Sequence, residues 1–363
     1  MRIPWIEIID FRSYPRLRFQ PEPGLNVLLG PNGQGKTNLL EALGVLLTGR
    51  SFRTPRLAEL PAWGAERAQV AGEVARGGVI RVVRLAIGRQ GPRAELEGQL
   101  CPWARAVTFC APDLGLLSGP PQARRAYLDA FAAKVYPAHA VALGRYRAAL
   151  QQRGRLLQQG VGRGAALEPW DQQVAELGAT VLGRRLQALE ALRGETQTLS
   201  GLLELLPGAV ELEYLATAPL QADPLRQAEA LRAALRARRG EEVARGLTLV
   251  GPHRDDLGVR LAGRDARAYA SRGEQRPLAL FLRLAEVGAI VHQLGAPPVL
   301  LLDDPLSELD GAARERLLAW LEGQEQAVVS ATDAPPLPPR AAAWEVWRGG
   351  VAAAEPLGAR VGA

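Results

Sequence analysis

The residues with the most chemistry to offer lie near the amino terminus. Gly30-Pro31-Asn32-Gly33-Gln34-Gly35-Lys36-Thr37 fits the spacing GxxxxGK[ST], with Asn38 directly behind it. Glycines let backbone N–H groups close on phosphate oxygens that a Cβ would hold off. A helix beginning near Lys36 would aim its positive end at the same anion. In this pattern the lysine reaches the β- and γ-phosphates of a nucleoside triphosphate, and the Thr37 hydroxyl is placed to ligate Mg2+. Lys36 and Lys134 are the only lysines against 42 arginines (44 − 2), so this ammonium stands out. The other half of such a site is a buried strand that ends in a carboxylate. Val299-Leu300-Leu301-Leu302-Asp303 supplies it, and Asp303 would hold Mg2+ through water. Asp304 follows where a general base could orient the attacking water; the same carboxylate could also serve a turn or cap a helix.

These groups need elements to position them. Residues 25–29 read as a short buried strand before the glycine loop, and residues 38–47 as the helix after it. Residues 3–9 are β-rich, and Asp10-Phe11-Arg12-Ser13-Tyr14-Pro15 reads as a turn. Residues 70–100 read as a β-meander with turns at Gly77-Gly78 and Gly88–Gly91, and 107–110 as another strand. From about residue 122 the chain becomes rich in Ala, Leu, Gln and Arg. Val174, Leu177, Val181, Leu186, Leu189 and Leu192 recur at helical spacing, a stripe expected to pack a core. Breaks fall near Pro137, Gly160–Gly164 and Pro207, and a further Arg-rich helix covers about 224–239. A strand over 247–250, a loop, a helix from Gln275 and the strand 299–302 return the chain to α/β character. The expectation is an ATPase-type α/β head from 1–125 and 240–363, with a mainly helical insertion over 126–239.

The composition sets bounds. The chain has 363 residues, 47% hydrophobic and 23% charged, which argues for a folded protein of about two domains. Net charge is +6 (44 − 38), which permits a polyanionic partner without requiring one. Two cysteines, Cys101 and Cys110, build no disulfide framework and match no zinc spacing. His139, His253 and His292 are far apart in sequence. No stretch of 18 apolar residues and no signal-peptide pattern is read, so a cytoplasmic protein that does not enter the membrane is expected.

Three further segments narrow the choice among phosphate-loop proteins. Ser271-Arg272-Gly273-Glu274-Gln275 resembles the Ser-Gly-Gly-Gln signature of ABC-type ATPases, and Ser307-Glu308-Leu309-Asp310 their D-loop. With Asp10–Tyr14, Phe109–Leu114, Arg124–Asp129 and Gly251–Asp256, the chain resembles the RecF family, recombination-repair ATPases related to the heads of SMC proteins. The likeness runs essentially end to end.

The resemblance implies an ABC-type head with mixed sheets and ATP with Mg2+ as its ligands. Hydrolysis would act as a conformational switch. Ser271 to Gln275 would cap the γ-phosphate held by a second copy, so that ATP joins a homodimer with Ser307 and Asp310 at the seam. A helix N-cap is the other role open to the Ser271 hydroxyl. Arg12 would lie near the base or ribose, or be a solvated turn arginine. The family also implies binding to double-stranded and gapped DNA, with RecO and RecR as partners in loading RecA. Arg50, Arg53, Arg56, Arg124, Arg125 and the arginines of 232–239 could meet DNA phosphates, or be solvated or ion-paired. Backbone contact of this kind reads little sequence and weakens steeply with salt. Arg272 departs from the Gly at the signature's second position, while Asp304 in place of the Glu usual in transporters, and no switch histidine in Val328–Thr332, point to slow hydrolysis. Two other functions share the motifs: the soluble ATPase subunit of an ABC transporter, and a DNA-binding module with a vestigial ATPase.

Overall fold

A computed structural model of the chain describes residues 1–88, 96–159 and 165–354. The expected turn at 89–91 and helix break at 160–164 lie outside them. The chain divides into two compact units. One comprises Met1–Leu114, Leu199–Leu206 and the residues from Arg272 onward; the other comprises Gly115–Thr198 and Pro207–Ser271.

The first unit opens with β1 (Ile6–Phe11), β2 (Tyr14–Phe19) and β3 (Gly24–Leu29), then α1 (Lys36–Thr48), β4 (Arg67–Arg76), β5 (Val79–Gly88), β6 (Leu96–Gly98) and β7 (Ala106–Phe109). Five of these form an antiparallel sheet in the order β2-β1-β4-β5-β6. The turn expected at 10–15 is tighter than the sequence suggests, and both strands run into it. Asp10 and Arg12 take left-handed φ values of 50° and 52°. Backbone bonds from Arg12 N–H to Leu60 O (2.8 Å) and from Ala62 N–H to Asp10 O (2.7 Å) secure it.

The second unit holds α2 (Gly115–Ser118), α3 (Pro121–Val135), α4 (Ala138–Gln158), most of α5 (Glu168–Leu203), β8 (Val210–Leu215), α6 (Pro224–Ala237), α7 (Arg239–Arg245), β9 (Asp256–Leu261), β10 (Arg264–Asp265) and α8 (Ala266–Tyr269). The stripe on α5 is core: Val174, Val181, Leu189 and Leu192 are buried, as are Tyr146 of α4 and Leu231 and Leu235 of α6. The unit is wider than the stretch 126–239 and carries an antiparallel sheet, β10-β9-β8. Residues 247–250, expected as a strand, are not one. Side chains take their backbone groups instead: Leu249 N–H donates to Glu242 Oε1 (2.7 Å), and Thr248 O accepts from His253 and Arg254. With those groups occupied, no ladder is needed to satisfy them.

The chain re-enters the first unit with α9 (Arg272–Leu294), β11 (Val299–Leu302), α10 (Gly311–Glu322), β12 (Gln326–Ala331), β13 (Ala342–Trp347) and β14 (Gly350–Ala353). The second sheet of this unit has the order β14-β13-β3-β12-β11-β7, with β13, β3, β12, β11 and β7 mutually parallel. Its inner strands are apolar on both faces, the expected pattern for covered parallel strands. Helix α1 is buried from Leu39 to Leu47 and packs against strands of both sheets. Helix α9 has a window of mean hydropathy 1.3, apolar enough to cross a membrane by length and composition, yet 67% of that window is buried in the protein. It is a core helix.

Candidate nucleotide site

Parallel pairing brings the carboxyl ends of β3, β12 and β11 to one edge, the usual location of ligand sites in such sheets. Leu29 lies opposite Ala331, and Val329 opposite both Val27 and Leu302. Gly30, Ser330 and Asp303 therefore emerge side by side. The loop between β3 and α1 needs its glycines. Gly30 has φ 148°, and a Cβ there would stand 2.5 Å from Val346 O; Gly35 has φ 112°, and a Cβ would meet the Tyr14 hydroxyl at 2.8 Å. The motif Asp10–Tyr14 braces the loop from outside. Tyr14 OH donates to Gly35 O at 3.2 Å, and Ser13 Oγ accepts from Asn38 Nδ2 at 2.8 Å. Burial raises the Tyr14 hydroxyl's pKa, keeping it a neutral donor. Gln34 Oε1 accepts from Arg348 N–H at 3.0 Å.

Lys36, the first residue of α1, is 7% exposed. Its ammonium donates to the carbonyls of Gly30 and, at 2.9 Å, Pro31. Burial pushes its pKa below the ordinary value, and Asp303 and Asp304 oppose that shift. Thr37 Oγ1 donates to Asp303 at 2.9 and 3.0 Å, and Ser330 Oγ donates to Asp303 Oδ1 at 2.8 Å. Ser330 Oγ also accepts the Asp304 N–H at 2.8 Å. Burial raises the Asp304 carboxyl's pKa; Arg276 works against this and Asp303 adds to it. Asn32, Gly33, Gly35, Lys36, Thr37 and Asn38 line an open cleft of about 500 Å³ with Asp303, Asp304, Ser330 and Thr332. Arg53 and Arg276 also line it, so three cations face two carboxylates.

The donor set suits a magnesium nucleotide. Thr37, Asp303 and Ser330 offer oxygens only, and no group of three or more His, Cys, Asp or Glu residues forms a metal cage among the described residues. Mg2+ is commonly held by one or two protein oxygens together with substrate phosphates.

Sequence reasoning brings the loop and the two aspartates together but misses their supports. Ser330 ends an apolar strand and carries no motif. Arg53 donates to Asn38 Oδ1 at 2.8 Å, so it faces the cleft. Glu41 is fully buried on α1 and accepts from Arg12 Nε (2.9 Å) and Nη2 (2.8 Å), while Arg12 Nη1 donates to Glu59 O. The Arg12 guanidinium thus fastens the turn to α1, and it does not line the cleft. Arg272–Gln275 form the first turn of α9 and do not line the cleft either; Ser271 is the last residue of the second unit. The Asp310 carboxylate caps α10, accepting Ala313 N–H at 2.8 Å. Ser307 lines a neighbouring hollow with Asp304 and Glu308. Of the other arginines named for DNA, Arg124 is 4% exposed and grips Asp256, and Arg125 donates to Asp255 O. Arg232 and Arg236 pair with Glu168, and Arg239 with Asp171. Arg50 and Arg56 are exposed.

Comparison with known proteins decides the family. A protein of Heliobacterium modesticaldum, DNA replication and repair protein RecF, is 40% identical over 338 residues, covering 89% of this chain and 90% of its own. The chain belongs to the RecF family. A solved structure of the recombination mediator protein RecF with ATP in the RecFOR pathway superposes on this RecF-family chain with a TM-score of 0.85 and 28% identity, over 97% of each chain. An SMC head bound to the C-winged helix domain of ScpA matches at a TM-score of 0.54 and 16% identity over 99% of each, which shows the shared head fold. The AAA domain family model matches residues 6–91, which include the phosphate loop. The architecture is that of an ABC-type ATPase head with mixed sheets, and membership of RecF sets the transporter-subunit reading aside.

Proposed function

We propose that the chain binds ATP with Mg2+ in the cleft at the ends of β3, β12 and β11 and hydrolyses it slowly, as a switch. The observation that carries this is the chain of bonds Thr37–Asp303–Ser330–Asp304 beside Lys36. Lys36 neutralises the β- and γ-phosphates, and the loop glycines admit them to the backbone. Thr37, and Asp303 through water, would hold Mg2+, which would supply charge neutralisation on the phosphates. Asp304, held on the cleft by the Ser330 hydroxyl, receives the proton of the attacking water.

The signature Ser271-Arg272-Gly273-Glu274-Gln275 completes the site of a second copy, so ATP closes a homodimer with Ser307 and Asp310 at its seam, and hydrolysis releases it. Such a switch needs the γ-phosphate to bind the closed state better than the open one. The closed dimer grips double-stranded and gapped DNA through its phosphates. With RecO and RecR, it helps load RecA onto single strands coated by single-strand-binding protein, in the cytoplasm. The relatives' association with DNA repair and the RecFOR pathway supports this assignment. Sedimentation with a gapped duplex tests it. ATP should produce a dimer on DNA that ADP and nucleotide-free protein do not; equal sedimentation in all three conditions overturns the switch.

A further inference from the structure

Arg276 is a cleft residue that the phosphate chemistry leaves without a task. It follows Gln275 on α9, and its guanidinium crosses to the end of β11. Nη2 donates to the Asp304 carbonyl at 2.7 Å, and stands 3.5 Å from both Asp304 Oδ2 and the Asp303 carbonyl. The guanidinium carbon lies 5.5 Å from the centroid of the Phe109 ring, at the end of β7. The side chain is 14% exposed, and its Nε is buried with no hydrogen-bond partner among the described residues.

Asp304 is a residue that has to be held. Its φ is 52°, in the left-handed region, where a side chain-bearing residue is strained. Two bonds bracket it. Its N–H goes to Ser330 on β12, and its carbonyl accepts from Arg276 on α9. The first bond is internal to the sheet. The second comes from the helix whose first turn carries the signature.

We propose that Arg276 is a positioning residue that ties the strained Asp304 to α9, so that the signature helix sets the pose of the carboxylate in its own chain's cleft. This rests on the reading of Asp304 as the water-orienting carboxylate and of Ser271–Gln275 as the cap on a second copy's triphosphate. Arg276 is four residues from Arg272, the first residue of α9, about 6 Å along the helix. From Pro277 to Leu282 every residue of α9 is buried, and Pro277 has no N–H for the Gly273 carbonyl, so the first turn with Arg276 can shift against a fixed helix body. A shift of its first turn on engaging a partner's nucleotide would reach Asp304 through one guanidinium. The two sites of a dimer would then be coupled, each carboxylate being set by what its own chain's signature holds.

The test uses the full chain and Arg276→Met, with Arg276→Gln in its place should the methionine variant fail to fold. Hydrogen exchange is read over 304–309 and over 33–40, without nucleotide and with ATP. Loss of the tie should speed exchange of 304–309 by about tenfold or more and leave 33–40 unchanged. The kcat for ATP should fall about tenfold or more with KM unchanged, since a misplaced base loses part of its contribution. Unchanged exchange at 304–309 overturns the tie whether or not ATP is turned over. A raised KM with kcat retained overturns it too, making Arg276 a phosphate contact. Faster exchange in the variant, in a parent that never hydrolyses ATP, keeps the tie and sinks the ATPase reading instead.

Discussion

Replacing Ser330 with alanine removes one hydroxyl and two bonds. Ser330 is 1% exposed, so its hydroxyl is sheltered from bulk water. Asp303 keeps Thr37 as a donor, but the Asp304 N–H loses its 2.8 Å acceptor at a residue already in the left-handed region. A polar group left unpaired in this way costs about 1–3 kcal/mol. If about 2 kcal/mol of that falls on the pose of Asp304, kcat should drop about thirtyfold. The Lys36 contacts to Gly30 and Pro31 do not involve Ser330, so ATP affinity should move by less than about threefold, the split expected when only transition-state positioning is lost. A coupled ATPase assay with fluorescent-nucleotide titration measures both. Ser330→Thr keeps a hydroxyl and should retain most of the rate. A kcat for Ser330→Ala within twofold of the parent, or weakened binding with kcat intact, would refute the reasoning.

Lys36→Arg should weaken ATP binding about tenfold or more by nucleotide titration, because a planar guanidinium cannot take the place of a compact ammonium wedged against two carbonyls. Ser271→Arg should leave ATP binding to the monomer intact and abolish ATP-dependent dimers in light scattering. Arg153→Met leaves the fully buried Glu242 with no cation and Asp171 with Arg239 alone, and should cost about 3 kcal/mol, read as a drop of roughly 10 °C in the melting of the second unit. The His253 ring accepts from Tyr146 and donates to Thr248 O, and burial pulls its pKa from 6.5 down to about 4. Between those values the unfolded chain binds a proton that the folded chain refuses. Stability is therefore full above pH 6.5 and is lost as pH falls towards 4, by up to about 3 kcal/mol from this group. His253→Asn should flatten that part of the melting curve against pH; parallel curves would contradict the assignment.

The phosphate loop and the strand before Asp303 were legible because each is a local pattern: fixed spacing in one case, an unbroken aliphatic run in the other. The core stripe on α5 was legible for the same reason. Ser330 and Arg276 were not, because they reach the cleft only through the pairing of β12 with β3 and through the packing of α9, and Arg53 reaches it from the segment after α1 by way of Asn38. Strand β8 does alternate, Val210, Leu212 and Tyr214 being buried, and its pattern was open to reading between two helical stretches. Residues 247–250 misled because the run Leu-Thr-Leu-Val says nothing of Glu242, His253 and Arg254, which take up the backbone groups there. Arg124 shows the limit of charge counting, since its guanidinium is committed to Asp256, far away in sequence.

The scarcity of lysine gives the cleft one more property. The chain carries two ε-amines, and one of them, Lys36, sits in the phosphate loop with its proton affinity lowered by burial. The other amines of the polypeptide are Lys134 and the α-amine of Met1, which Pro297 and Glu325 hold. Shielding of that single side chain from an amine-directed reagent on adding ATP would therefore report a filled cradle against two other signals, a footprint built into the composition of the polypeptide itself.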